Sequence, residues 1–86
     1  MNTVTDQWFI YIVKCTDDTL YTGIAKDVTE RIDKHNAGTG AKYTRARRPV
    51  VEVYREEAAT RSDATKREIE IKKLSRKKKL HLISEN

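Results

Sequence analysis

Trp8-Phe9-Ile10-Tyr11-Ile12-Val13, followed by a second apolar run at Leu20-Tyr21-Thr22-Gly23-Ile24, decides how this chain folds. The first run is short, β-branched and aromatic, which marks a strand buried on both faces. Between the runs, Thr16-Asp17-Asp18-Thr19 has turn chemistry. The pair therefore reads as a β-hairpin. Gly23 marks a point where a backbone must approach another group closely. Tyr11 and Tyr21 carry hydroxyls inside the strands, and taken singly each is an ordinary core aromatic. Whether they meet depends on the loop. A two-residue turn at Asp17-Asp18 pairs Tyr11 with Ile24 and turns Tyr21 away. A three- or five-residue loop, or a bulge, puts both on one face. The sequence leaves both geometries open.

Further along, Asp27 is a good N-cap with Glu30 three residues on. The helix that follows runs to about Asn36, with Val28, Ile32 and His35 on one face and Gly38 and Gly40 as stop and loop residues. Ala41 to Pro49 reads as a basic loop, and Val50-Val51-Glu52-Val53-Tyr54 as a third strand. A second helix starts near Ser62 or Asp63 and turns Ala64, Ile71 and Leu74 toward the core; Ser75 caps a last helix ending in Leu80, Leu82 and Ile83. The order β-β-α-β-α-α has too few strands for a doubly wound sheet. It predicts an α+β fold, a small three-stranded antiparallel sheet flanked by helices.

At 86 residues the chain holds a single domain, expected to span 1–86 with its ordered core at about 8–83. Hydrophobic residues make up 37% and charged residues 36%, polar for a globular protein yet patterned enough to fold. A net charge of +5 and a pI near 9.5 favour polyanions, nucleic acid before anionic membrane. The longest apolar stretch falls far short of the roughly 20 residues of a spanning helix. Met1 to Asp6 lacks the regions of a signal peptide. Cys15 is the only cysteine, which excludes an internal disulfide and a multi-thiolate metal site. It reads as a buried strand residue, and a cytoplasmic, reducing location is expected.

Most charges need no explanation beyond solvation. Arg31 and His35 do, because they project from the inward half of the first helix or its edge. Glu68 is four residues after Ala64 and three before Ile71, a carboxylate on an apolar stripe. Buried, it must be paired, hydrogen-bonded or metal-bound. The simplest structural reading is an ion pair with Arg31; the competing one is a functional site. His35 alone is explained by the dipole at a helix C-terminus.

Taken together these residues fit one family. Phe9-Ile10-Tyr11, ten residues before Tyr21-Thr22-Gly23, resembles the two name-giving motifs of the GIY-YIG nuclease superfamily, with Phe9 for the first Gly and Thr22 for the usual Ile or Val. Arg31, His35-Asn36 and Glu68 resemble, in order, its essential arginine, the conserved His or Tyr after it, and its metal-binding glutamate. The stretch His35 to Arg45 resembles the small stand-alone bacterial YhbQ-like (UPF0213-type) members and the same region of structure-selective nucleases. Two features of longer excision-repair members are absent: Ile24 stands where they carry Lys after the second motif, and no Asn follows a Lys-Pro.

The resemblance implies a metal-dependent endonuclease that hydrolyses phosphodiester bonds in DNA. The substrate expected is DNA before RNA, including structured or damaged DNA, with no membrane partner and a homodimer or protein partner left open. Glu68 would hold one Mg²⁺ or Mn²⁺. Arg31 would clamp phosphate oxygens. Tyr11 would take a proton from water or orient it, and Tyr21 would hydrogen-bond the water or the phosphate. His35 is the alternative base, with the better matched intrinsic pKa. Lys42, Arg45, Arg47, Arg48, Lys72, Lys73 and Arg76 would contact flanking phosphates, and Tyr43 could stack on an unpaired base. Two alternatives remain beside it: a nucleic-acid-binding module with the nuclease fold and little or no turnover, and a domain whose basic face binds an acidic protein.

Overall fold

In the computed structural model, which describes residues 7–85, the chain forms strands β1 (Trp8–Lys14), β2 (Leu20–Ala25) and β3 (Val51–Ala58) and helices α1 (Val28–Ala37), α2 (Lys42–Arg45), α3 (Arg61–Lys72) and α4 (Arg76–Ser84). Met1 to Asp6, the stretch read for a leader, and Asn86 lie outside the described residues. The strands form one sheet in the order β2-β1-β3, antiparallel throughout, as the α+β reading expects. Among the described residues, no helix is long and apolar enough to cross a membrane.

Strand β1 lies in the centre, and successive side chains leave it on opposite faces. Tyr11 and Val13, with Phe9 beside them, pack with Val28 and Ile32 of α1. Ile10 and Ile12 pack on the other face with Ala64 and Ile71 of α3, and with Leu82 and Ile83 of α4. Both isoleucines are fully buried, each worth about 1.5–3 kcal/mol by transfer from water. Helix starts follow the expected chemistry: the Asp27 carboxylate accepts from the Glu30 N–H at 3.0 Å and Ser75 Oγ from the Lys78 N–H at 3.2 Å. Gly38, at φ 86°, closes α1 in the left-handed region.

Four local expectations change. β3 continues four residues past Tyr54 to Ala58; Arg55, Glu56 and Glu57 disguised it, and such charges suit an edge strand. The segment read as loop contains the single turn α2. Helix α3 starts at Arg61, capped by Thr60, whose Oγ1 accepts from the Asp63 N–H at 3.0 Å. Cys15 is buried but lies beyond the end of β1, where its N–H bonds the Thr19 carbonyl at 2.8 Å.

Candidate active site

The register of the hairpin settles the question of the tyrosines. Tyr11 faces Gly23 and Lys14 faces Leu20, so the loop is Cys15–Thr19, the five-residue case. Tyr21 lies two residues from Gly23 and therefore on the face that carries Tyr11. Gly23 is required by that neighbour: a Cβ there would lie 2.5 Å from Tyr11 Oη and 2.7 Å from its Cζ. Only a residue without a side chain lets the phenol lie across β2.

Helix α1 brings His35 to the same place. Its ring is fully buried, with Nε2 2.8 Å from Tyr11 Oη and Nδ1 2.8 Å from Thr44 Oγ1. The edge of the ring meets Tyr21, centroids 5.4 Å apart at 69°. Gly40 makes the space, since a Cβ there would lie 2.4 Å from His35 Nδ1. A charged histidine favoured by the helix dipole is not what forms: burial, and secondly the charge of Arg31, lower the His35 pKa from its usual value. The imidazole is thus neutral at pH 7.

The Tyr11 pKa is pushed up to about 12, chiefly by burial. The half-buried Arg31 works against that rise, while the Tyr21 and Glu68 charges add to it. Arg31, Tyr21 and Glu68 therefore all lie within electrostatic reach of one phenol.

Glu68 reaches the site from α3. Its side chain keeps 19% of its surface exposed, and Oε2 pairs with Lys72 Nζ at 3.2 Å. Lys72 Nζ in turn lies 5.9 Å from the centre of the Tyr21 ring. Among the described residues the ion pair of Glu68 is this one with Lys72, not the one with Arg31 that the structural reading offered. The spacing of four along α3 makes the local pair the easier one. Helix α3 is tied to β3 by Arg67, whose Nε donates to Glu56 at 2.7 Å while the Tyr54 hydroxyl also donates to Glu56.

No group of three or more His, Cys, Asp or Glu gathers as a metal cage among the described residues. Glu68 alone still fits one kind of cation. Mg²⁺ and Mn²⁺ accept a single carboxylate and fill their remaining positions with water and phosphate oxygens, and Glu68 keeps part of its carboxylate surface open, with a half-exposed ammonium as its partner.

The basic residues divide into some held by neighbours and others that are exposed. The ring of Tyr43 stacks on Tyr21 at 5.8 Å and 21°, and the Arg47 guanidinium lies 4.0 Å from its centroid. Tyr43, still 39% exposed, thus stands between Tyr21 and Arg47. Arg47 is held by Asp17 at 3.0 Å, and Thr16 N–H bonds the Arg47 carbonyl at 3.0 Å, so the hairpin loop props this segment. Arg48 Nε donates to the Arg45 carbonyl at 2.8 Å. Lys42, Arg45, Lys73 and Arg76 are exposed. Thr44 and Gly40 were not singled out by the sequence for this site. Asn36 holds both backbone groups of Val50, accepting from its N–H at 2.7 Å and donating to its carbonyl at 3.1 Å.

Paired tyrosines on a central hairpin, with an arginine and histidine from the next helix and a glutamate from a later one, define a GIY-YIG domain. Residues 7–81 match the family model of the GIY-YIG catalytic domain, and the chain belongs to that family. Among its relatives is the UPF0213 protein SAV0488 of Staphylococcus aureus strain Mu50, 61% identical over 80 residues, 93% of this chain and 98% of that one. The solution NMR structure of the UPF0213 protein BH0048 from Bacillus halodurans aligns with TM-score 0.59 and 44% identity, covering 91% of this chain and 83% of that one. That of EF2693 from E. faecalis aligns with TM-score 0.59 and 37% identity, covering 96% and 88%. The family is one of nucleases that bind nucleic acid and generally depend on divalent metal.

Proposed function

We propose that this chain is a divalent-metal-dependent endonuclease that hydrolyses phosphodiester bonds in DNA, structured or damaged DNA included. The observation that carries the reading is the 2.8 Å contact between Tyr11 Oη and His35 Nε2. A phenol with a pKa pushed up to about 12 is a poor base by itself at neutral pH. Backed by a neutral imidazole, it becomes a relay. As the attacking water loses a proton to Tyr11 Oη, the Tyr11 proton passes to His35 Nε2, so the phenolate never accumulates and the positive charge moves to the imidazolium. Arg31 binds the non-bridging phosphate oxygens, where a fixed guanidinium stabilises the charge of the pentacoordinate state. Tyr21, on the same face, orients the water or the phosphate. Glu68 would hold Mg²⁺ or Mn²⁺, which would supply charge neutralisation to the phosphate and the leaving oxygen.

The exposed cations Lys42, Arg45, Lys73 and Arg76 grip flanking phosphates, with Arg47 and Arg48 acting mainly through the loop they brace and Lys72 through Glu68. A panel of duplex, flap, junction and single-stranded DNA, incubated with Mg²⁺ or Mn²⁺ and with a chelator as control, tests the reading. Metal-dependent cutting of at least one substrate is expected. Salt-sensitive binding without cutting leaves a nucleic-acid-binding module, and no salt-sensitive binding points to an acidic protein partner.

A further inference from the structure

The chain of protons behind Tyr11 ends on a residue that no charge marks. Thr44, on α2, is fully buried, with Oγ1 2.8 Å from His35 Nδ1 and 3.0 Å from the Ala41 carbonyl. A threonine hydroxyl has one hydrogen to donate. Given to the carbonyl, it leaves Oγ1 only lone pairs to offer His35, so Nδ1 carries the imidazole proton. Nε2 is then bare and accepts from Tyr11 at 2.8 Å.

The opposite tautomer has one supporter, the Ala41 N–H, at 3.4 Å from Nδ1. That bond is long. Adopting it would also give up the Thr44–Ala41 hydrogen bond and leave the buried Tyr11 hydroxyl hydrogen without an acceptor among the described residues. An unpaired phenol hydrogen at 1% exposure costs more than an amide on the only partly buried Ala41. The run Tyr11 → His35 → Thr44 → Ala41 also aligns its donors in one direction, so each bond strengthens the next.

We infer that Thr44 is a positioning residue that holds His35 in the Nδ1–H tautomer, so that Nε2 can take the proton of Tyr11. The inference rests on the relay proposed for Tyr11, but its first test needs no substrate. The side chains of Tyr11 and Tyr21 and the Arg31 charge face the ring. At pH 8 the imidazole is neutral, and long-range ¹H–¹⁵N spectra read its tautomer directly; a His81→Gln background leaves a single histidine signal.

The wild-type ring should show Nδ1–H. In Thr44→Val, which keeps the shape but has no acceptor, the ring should flip to Nε2–H, bonded to Ala41 N–H on the other side. Cleavage should fall about a hundredfold, the scale of a lost proton acceptor. Thr44→Ser should restore both tautomer and rate. A wild-type Nε2–H ring overturns the inference, and that spectrum decides it even if Thr44→Val fails to fold. An unchanged tautomer in folded Thr44→Val also overturns it. An Nδ1–H ring that flips as expected in a protein that cuts no DNA upholds the role of Thr44 and sinks the nuclease reading instead.

Discussion

Replacing Glu68 with Ala should lower metal-dependent cleavage by about two to three orders of magnitude, the scale of losing one group that stabilises the transition state. Binding to DNA should survive, and for a specific reason. Glu68 pairs with Lys72 at 3.2 Å, so its removal frees an ammonium and raises the local positive charge by one. Affinity should hold or rise slightly at low salt. Stability should barely change, because an ion pair spaced four apart on a helix surface is worth roughly 0.3–0.5 kcal/mol. Single-turnover cleavage and fluorescence anisotropy on the same oligonucleotide separate the two effects. Cleavage that persists at the wild-type rate in a folded Glu68→Ala variant removes Glu68 from the site.

The second large effect belongs to a residue with no side chain. In Gly23→Ala the new methyl group lies 2.5 Å from Tyr11 Oη and 2.7 Å from Cζ, well inside contact distance. The Tyr11 ring is 1% exposed and hydrogen-bonded to His35, so it has little room to retreat. Overpacking of this kind costs roughly 1–3 kcal/mol. In a domain of this size each kcal/mol lowers Tm by about 4–8 °C. The loss of activity should exceed what the loss of stability explains, because the methyl group displaces the phenol oxygen itself. Thermal unfolding, with cleavage assayed well below Tm, measures both. A variant with unchanged Tm and rate would mean that the hydroxyl does not lie over β2.

What the sequence disclosed, and what it hid, follows from the range of the interactions concerned. The strands from Trp8 and Leu20 and the caps at Asp27, Gly38 and Ser75 depend on neighbours within a few residues, and these were legible. The faces of Tyr11 and Tyr21 were not. They depend on a loop closed by the Cys15–Thr19 hydrogen bond, with Asp18 at φ 68° and the Asp17 carboxylate accepting from Thr19. A two-residue turn at the same aspartates was equally compatible with the residue types. The second half of β3 was hidden by its run of charges, one of which, Glu56, finds its partner only on α3, in Arg67. Glu68 stood out as a carboxylate on an apolar stripe, while its local partner four residues on, Lys72, was passed over for the distant Arg31. Thr44 and Gly40 were missed because a threonine in a basic loop and a glycine after a helix look like any others. Their importance appears only when His35 is placed beside them.

The central claim is that Tyr11, Tyr21, Arg31, His35 and Glu68 converge on one scissile phosphate and one cation. The most direct test is a crystal structure of the Tyr11→Phe variant with an oligonucleotide and Mn²⁺, the ion located by its anomalous scattering. The account predicts an Mn²⁺ peak on the Glu68 carboxylate, shared with a backbone phosphate whose other oxygens lie on Arg31 beside position 11. Manganese absent from Glu68, or DNA lying across a different face, would contradict it.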